Sequence, residues 1–317
     1  MLKTIELSAS ERQQLQDCLN TVTLSPYGAG FDQVYSSVCA SAEEGPARLI
    51  NALDSFRRMS GRSGVMLIRG LPVDVQLGPT PCVPYESVPD KVTGTEKYLL
   101  LIASVLGEPI GFADWHRGER LQNLYPIPEL ECVQCASNSI YLEMHTETAF
   151  RPNTPIHLAL LCLKKDPGGN AKTVFCDLGA VVDSMSEEAR RILASPSFCF
   201  LVPSNEGETL TEPKPIDSIE HGRRRLHYAE ALTAIDADSR RVLADLKERI
   251  LANSVLVELE KGDLVLIDNF HVVHGRTAYS PRYDGSDRWL QRVLIGRSVD
   301  ERVYPQAAPT QVEQVGL

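Results

Sequence analysis

One spacing constrains this chain more than any other. His145-Thr146-Glu147 sits in a strand-like run, Leu142 to Phe150, and a second histidine, in His274-Gly275-Arg276, arrives 127 positions after that glutamate. Residues i and i+2 of a strand project from the same face, so His145 and Glu147 point the same way. Two histidines and one carboxylate form a donor set for a divalent transition metal and leave coordination positions open. Two adjacent ligands and one distant histidine complete the set. His271 competes with His274. In extended chain, positions three apart face opposite ways, so one of the two points inward.

The rest of the chain is compatible with such a core. Residues 8–25 and 45–60 read as helices, and in the second Ala47, Leu49, Ile50, Leu53 and Phe56 recur near the helical period. Gly64 to Gly70 encloses a short apolar strand. Five prolines between Leu71 and Val92 forbid regular structure there. A helix capped by Thr93 or Thr95 then runs to Gly107, a plausible C-terminal glycine. Beyond Pro109, short strands are expected over 131–137, 141–148, 156–163, 172–177, 197–202, 223–229, 255–259, 263–268 and 289–297. Two helices interrupt them, one opening on the capping-box pattern Ser184-x-x-Glu187 and one at Asp236, with Val242, Leu246 and Ile250 on one face. Residues 203–222, rich in Pro, Glu, Ser and Thr, read as a mobile loop that could act as a lid. These elements predict a mainly β chain with flanking helices, forming one domain over 1–317. Residues 1–110 would be its mostly helical part, 111–300 its core, and 301–317 a surface tail.

Composition narrows the partners. A formal charge of −10 without a basic run disfavours nucleic acid and anionic membranes. No apolar stretch is long enough to span a bilayer, and the N-terminus turns polar too soon for a secretory leader, so a cytoplasmic location is expected. The eight cysteines are scattered, unlike a disulfide framework, and the lone Cys132-Val-Gln-Cys135 reads as reduced thiols.

Arg288, Leu290, Arg292 and Leu294 fall on one face of the strand ending at Gly296. Two guanidinium groups on a largely apolar strand are costly to bury without anions, and each planar fork suits a carboxylate. The strings His145-Thr-Glu-Thr-Ala-Phe150, Asp166-Pro-Gly-Gly-Asn-Ala-Lys-Thr173, Val273-His-Gly-Arg276 and Asp287-Arg-Trp-Leu-Gln-Arg292 together resemble the Fe(II)/2-oxoglutarate oxygenases. Within these they look most like the clavaminate synthase-like branch of the taurine dioxygenase superfamily, which includes hydroxylases of free arginine, asparagine and lysine. The resemblance covers Gly64 to Arg297. It implies a double-stranded β-helix (jelly roll) core, with His145, Glu147 and His274 as iron ligands. It further implies that Arg288 and Thr173 hold the distal carboxylate of 2-oxoglutarate and that Arg292 meets the substrate's α-carboxylate. His271 receives no role from it.

The implied cofactors are Fe(II) and 2-oxoglutarate, with O2 as co-substrate. The implied reaction couples decarboxylation to succinate and CO2 with oxidation of an unactivated C–H bond. Related halogenases carry Gly or Ala at the carboxylate position, so Glu147 argues against halogenation. The expected partner is a free L-amino acid, of the basic arginine or lysine type. Glu230 would grip its amine or side chain and Trp115 would line the pocket. Two departures weigh against arginine: residues 223–230 hold one acidic residue, and Trp115-His116 stands where relatives often carry glutamine. The alternatives are desaturation, cyclisation or a larger carrier-bound substrate with the same cofactors. A cupin-like binding protein is a further alternative, but it leaves Arg288, Arg292 and Thr173 unexplained.

Overall fold

Strand alternation sets the architecture. The computed structural model describes residues 2–58, 64–73, 77–84, 94–112, 116–151, 154–204, 207–220, 222–297 and 311–312. Before the metal-ligand motif come β1 (Leu2–Glu6), α1 (Ala9–Cys18), α2 (Phe31–Ser41), α3 (Ala47–Arg58), β2 (Val65–Arg69), α4 (Glu96–Leu106), β3 (Glu108–Phe112) and β4 (Leu121–Leu124). Then follow β5 (Leu142–His145), β6 (His157–Lys164), β7 (Thr173–Asp177), α5 (Leu178–Asp183), α6 (Glu187–Leu193), β8 (Phe198–Cys199), β9 (Leu201–Ser204), β10 (Gly207–Leu210) and β11 (Asp217–Glu220). The chain continues through β12 (Arg223–Leu226), β13 (Thr233–Ala234), α7 (Ala237–Ala252), β14 (Val255–Val257), β15 (Leu264–Asp268), β16 (Val272–Arg276), β17 (Trp289–Gly296) and β18 (Gln311–Val312).

Two sheets dominate. An eight-stranded sheet runs β1-β2-β15-β6-β17-β3-β18, with β4 also paired to β17, and a four-stranded sheet runs β14-β7-β16-β5. In the large sheet β2, β6 and β15 are buried on both faces and read as nearly continuous apolar runs. Leu158, Leu160 and Cys162 of β6 join Val265, Ile267, Leu290 and Leu294 in a core shared with Phe175 and Val272 of the small sheet. Ala159, Leu161 and Leu163 face the other way, toward Leu15, Val34, Leu53 and Leu99 of helices α1 to α4. The outer face of the small sheet, with Met144, Val174, Cys176 and Val273, packs on α5, α6 and α7. Each fully buried leucine in these layers contributes roughly 1.5–3 kcal/mol.

This layering places the functional side chains. Thr173 has the parity of Phe175, His274 and Arg276 that of Val272, and Arg288 and Arg292 that of Leu290 and Leu294. All five therefore enter the space between the sheets.

Several elements differ from the sequence-based expectations. Residues 131–137 form consecutive turns, with Val133 N–H bonded to Leu130 O and Asn138 N–H to Cys135 O, because local turn bonds satisfy a backbone that no neighbouring strand meets. Part of 203–222 is paired: β9 with β10, and β11 with β12. The second hairpin is tied by Arg224 to Asp217 at 2.7 Å and by Arg225 to Glu220. The first helix ends at Cys18, and α2 and α5 were not foreseen. Ser186, two residues past the expected cap, accepts from Ala189 N–H to start α6, while the Ser184 hydroxyl closes α5 on Val181 O. Thr95 stands at the start of α4, but its hydroxyl donates to Gln291 Oε1 at 2.6 Å and does not cap the helix. Of the tail, only Gln311 and Val312 are described, paired in parallel with β3. Among the described residues, no helix is long and apolar enough to cross a membrane.

Candidate metal centre

His274 of β16 and His145 of β5 are directly opposed in register. Gly275 permits the close approach, since a Cβ there would meet Leu142 O at 2.5 Å and Met144 Sδ at 3.1 Å. The rings of the two histidines lie 4.5 Å apart. Glu147 follows β5, and one ligand atom from each of His145, Glu147 and His274 lies within 4.8 Å of the others. His271 turns elsewhere, its Nδ1 lying 3.2 Å from Asp268 Oδ2.

Neighbouring groups fix each ligand. His145 Nδ1 lies 2.7 Å from the Glu143 carbonyl oxygen, which only accepts, so Nδ1 carries the proton and Nε2 keeps its lone pair. Glu147 N–H donates to Asn269 Oδ1 at 2.6 Å, and Asn269 Nδ2 returns bonds to Glu147 O and Pro155 O at 3.1 and 2.9 Å. Asn269 was not predicted, and no pattern in the sequence marks it. Thr148 turns the chain with φ 50°, a strained value for a β-branched residue directly after the carboxylate.

The electrostatics prepare this set for a cation. Burial, assisted by the neighbouring His274 ring, pulls His145 down to about 4, so its imidazole is neutral near neutral pH. Burial opposes the charge on Glu147, but the Arg292 guanidinium and the His274 ring outweigh it and hold the carboxyl well below its usual range. A neutral His145 imidazole and an ionised Glu147 carboxylate, with the His274 ring beside them, suit Fe(II).

Arg292 Nη1 donates to Glu147 Oε2 at 2.9 Å, while its Nε and Nη2 donate to Gln122 Oε1 at 2.9 and 2.6 Å. Arg288, 8% exposed, has no hydrogen bond or ion pair among the described residues, and burial depresses its pKa. Among the described residues, Thr173 Oγ1 is buried without a partner. Arg276 lies near enough that burial and then the Arg288 charge bring it down to about 10. It spans to Asn138 O and Ile140 O at 2.9 and 3.1 Å and packs 4.5 Å over the Tyr279 ring. Asp166 shapes the turn before Thr173 by accepting N–H bonds from Gly168, Asn170 and Ala171 at 3.1, 2.7 and 3.0 Å. A buried guanidinium and a hydroxyl that lack counter-groups fit the free carboxylate of a dicarboxylic acid.

The expected substrate residues are placed unevenly. Glu230 accepts from Met144 N–H at 3.2 Å, so its carboxylate braces the outer edge of β5. Trp115 lies outside the described residues. His116, beside it, adopts φ 48°. Burial and then Arg292 pull His116 down to about 3, while Glu147 opposes, which puts it within electrostatic reach of the centre.

Comparison with known proteins gives a consistent picture. Residues 127–294 match the family described as "Taurine catabolism dioxygenase TauD, TfdA family". The chain is 35% identical over 254 residues to L-asparagine oxygenase of Streptomyces coelicolor, covering 79% of this chain and 76% of that protein. It is 32% identical over 301 residues to L-ornithine/L-arginine 3-hydroxylase of Catenulispora acidiphila, with 84% and 86% covered. The crystal structure of asparagine oxygenase with Fe(II), 2S,3S-3-hydroxyasparagine and succinate superposes with a TM-score of 0.87 at 29% identity, over 98% of this chain and 99% of that one. Non-heme iron oxygenase OrfP with Fe and alpha-ketoglutaric acid gives 0.82 at 25% identity, over 97% and 98%.

Proposed function

The chain belongs to the TauD/TfdA family of dioxygenases and depends on Fe(II) and 2-oxoglutarate, and we propose from its site that it hydroxylates an unactivated C–H bond of a free L-amino acid. The observation that carries the proposal is the largely buried His145/Glu147/His274 set lying in the same inter-sheet space as Arg288 and Thr173, two polar groups without partners among the described residues. His145, Glu147 and His274 hold the iron. Arg288 and Thr173 receive the distal carboxylate of 2-oxoglutarate, and Arg292 receives the substrate's α-carboxylate. The two facing sheets form a double-stranded β-helix, and 1–317 is one oxygenase domain.

Iron with bound 2-oxoglutarate supplies the oxidising power, one atom of O2 ending in succinate as CO2 leaves and the other ending in the substrate's new C–OH. The chain's own residues supply order. His145 presents a neutral nitrogen and Glu147 a fully ionised oxygen. Asn269 holds the Glu147 backbone, and the apolar walls from Leu160, Leu290 and Leu294 keep water out. Glu147 also occupies the position that a halide would need, which favours hydroxylation.

For the substrate side chain, a basic group would have to share Glu230 with Met144 N–H. An uncharged amide makes no such demand, and that contact favours L-asparagine as a second reading beside L-arginine and L-lysine. The relatives' names include all three amino acids.

The test begins anaerobically with Fe(II) and 2-oxoglutarate, read by their metal-to-ligand charge-transfer absorption. Its absence in the wild-type protein sinks the proposal. Succinate release coupled to oxidation of L-asparagine, L-arginine, L-ornithine or L-lysine then identifies the substrate. Succinate formation without amino-acid oxidation across that panel excludes these four.

A further inference from the structure

Gln122 is absent from every motif in the sequence, yet its amide lies against the guanidinium beside the metal centre. We infer that Gln122 is a positioning residue that fixes the plane of the Arg292 guanidinium, so that the substrate's α-carboxylate meets a stationary cation. The inference depends on the assignment of Arg292 to that carboxylate.

Gln122 lies on β4 directly opposite Arg292 on β17, and it is 2% exposed. Its Oε1 accepts from both Nε and Nη2 of Arg292, and its Nε2 faces the Glu119 carbonyl oxygen at 3.4 Å. A flipped amide would set NH2 against the guanidinium and oxygen against a carbonyl, so the contacts at both ends select one orientation. A guanidinium is planar with its donors in a rigid fork. Two bonds to one oxygen, together with the Nη1 bond to Glu147 Oε2, therefore determine its plane.

The neutrality of the acceptor matters. A carboxylate at position 122 would hold the same two donors but would cancel the charge that attracts the substrate. An apolar side chain would leave two buried N–H groups unsatisfied and free the guanidinium to settle further onto the iron ligand Glu147. An amide supplies the hold and leaves the charge.

The experiment compares Gln122→Met, Gln122→Glu and Arg292→Lys as Fe(II) proteins with saturating 2-oxoglutarate. Binding of L-asparagine, L-arginine and L-lysine is read anaerobically from the perturbation of the absorption band, and the ratio of succinate to oxidised amino acid is read aerobically. Gln122→Met should keep the band and the 2-oxoglutarate requirement. It should weaken amino-acid binding by about tenfold or more, as expected for loss of charge-assisted bonds, and succinate should outrun product. Gln122→Glu should also weaken binding but restore the wild-type ratio at saturation, since the plane is held while the charge is cancelled. Unchanged binding and ratio in Gln122→Met, with weakened binding in Arg292→Lys, overturns the inference and leaves the role of Arg292 standing. If Arg292→Lys is unchanged as well, the assignment of Arg292 fails and the inference with it. If Gln122→Met loses the band, Gln122→Glu decides: wild-type binding there overturns the inference.

Discussion

Arg288 offers a test in which two effects of one substitution carry opposite signs. The residue is 8% exposed, and among the described residues its guanidinium has no ion pair. Another cation, Arg276, lies close enough for the Arg288 charge to depress its pKa. Arg288→Met keeps most of the apolar stem while removing the charge. Replacing buried ionic groups by apolar ones of similar volume is often stabilising, by roughly 1–4 kcal/mol. For a chain of this size that corresponds to a Tm rise of roughly 2 °C or more in the ligand-free protein. Binding should move the other way. Loss of one partner from a buried charge pair costs roughly 2–5 kcal/mol, which raises the 2-oxoglutarate Kd about 30-fold or more. Thermal melts of the metal-loaded protein, with and without 2-oxoglutarate, separate the two. At a hundred times the wild-type Kd, the wild type should gain about 2.7 kcal/mol, and the variant should gain far less. A ligand-free variant less stable than wild type would mean that Arg288 is paired and structural. A retained 2-oxoglutarate shift would mean that the carboxylate sits elsewhere.

Three further outcomes follow from the same geometry. Glu147→Ala should abolish amino-acid oxidation and weaken Fe(II) binding in an anaerobic titration, and an active variant with normal iron affinity would remove Glu147 from the ligand set. Thr173→Val removes a buried hydroxyl that has no partner in the ligand-free protein, so its urea midpoint should hold while the 2-oxoglutarate KM rises roughly tenfold; a lowered midpoint with unchanged KM would reverse that picture. His157, 1% exposed and ring-packed on Phe56, is brought down to about 4 by burial against opposition from Asp268. Between the unfolded value of about 6.5 and that folded value the unfolded chain binds the extra proton, so stability is lost as pH falls through this window, by roughly 3 kcal/mol from this residue. His157→Phe should flatten urea midpoints measured from pH 7 to pH 4.5, and equal slopes in both proteins would refute the assignment.

The metal set was legible because its residue types are chemically exceptional and strand parity fixes their facing. Parity also explains why His274 and not His271 completes it. His274 shares a face with Val272, which is buried between the sheets, while His271 lies in the turn and engages Asp268. Arg288 and Arg292 were legible for the same reason. Gln122 and Asn269 were not, since an isolated amide carries no chemical signature. Each acquires its role from a contact across the fold, Gln122 through the pairing of β4 with β17 and Asn269 by reaching back to Glu147 and Pro155. The polar stretch 203–222 read as a loop because its hairpins carry Pro, Glu, Ser and Thr and little apolar alternation. Arg225 donates to Arg151 O and Thr154 across the fold as well as to Glu220 within its hairpin.

The two sheets divide the chemistry between them. The small sheet and its following turn carry His145, Glu147 and His274, while Arg288, immediately before β17, and Arg292, within it, stand four residues apart on the large sheet. At about 3.3 Å per residue, the two Cα positions stand roughly 13 Å apart, which under the proposed assignment spaces an anion site for the co-substrate from one for the substrate. A strand suits this better than a loop, because seven strands besides β17 build its sheet and its side chains are buried along its whole length. The same rigidity makes the arrangement intolerant of register error. Sliding β17 by one residue would turn Arg288 and Arg292 toward the helices and bring Trp289 and Val293 into the site. The site therefore forms only when the two sheets meet in one register, and the apolar core between them secures that register.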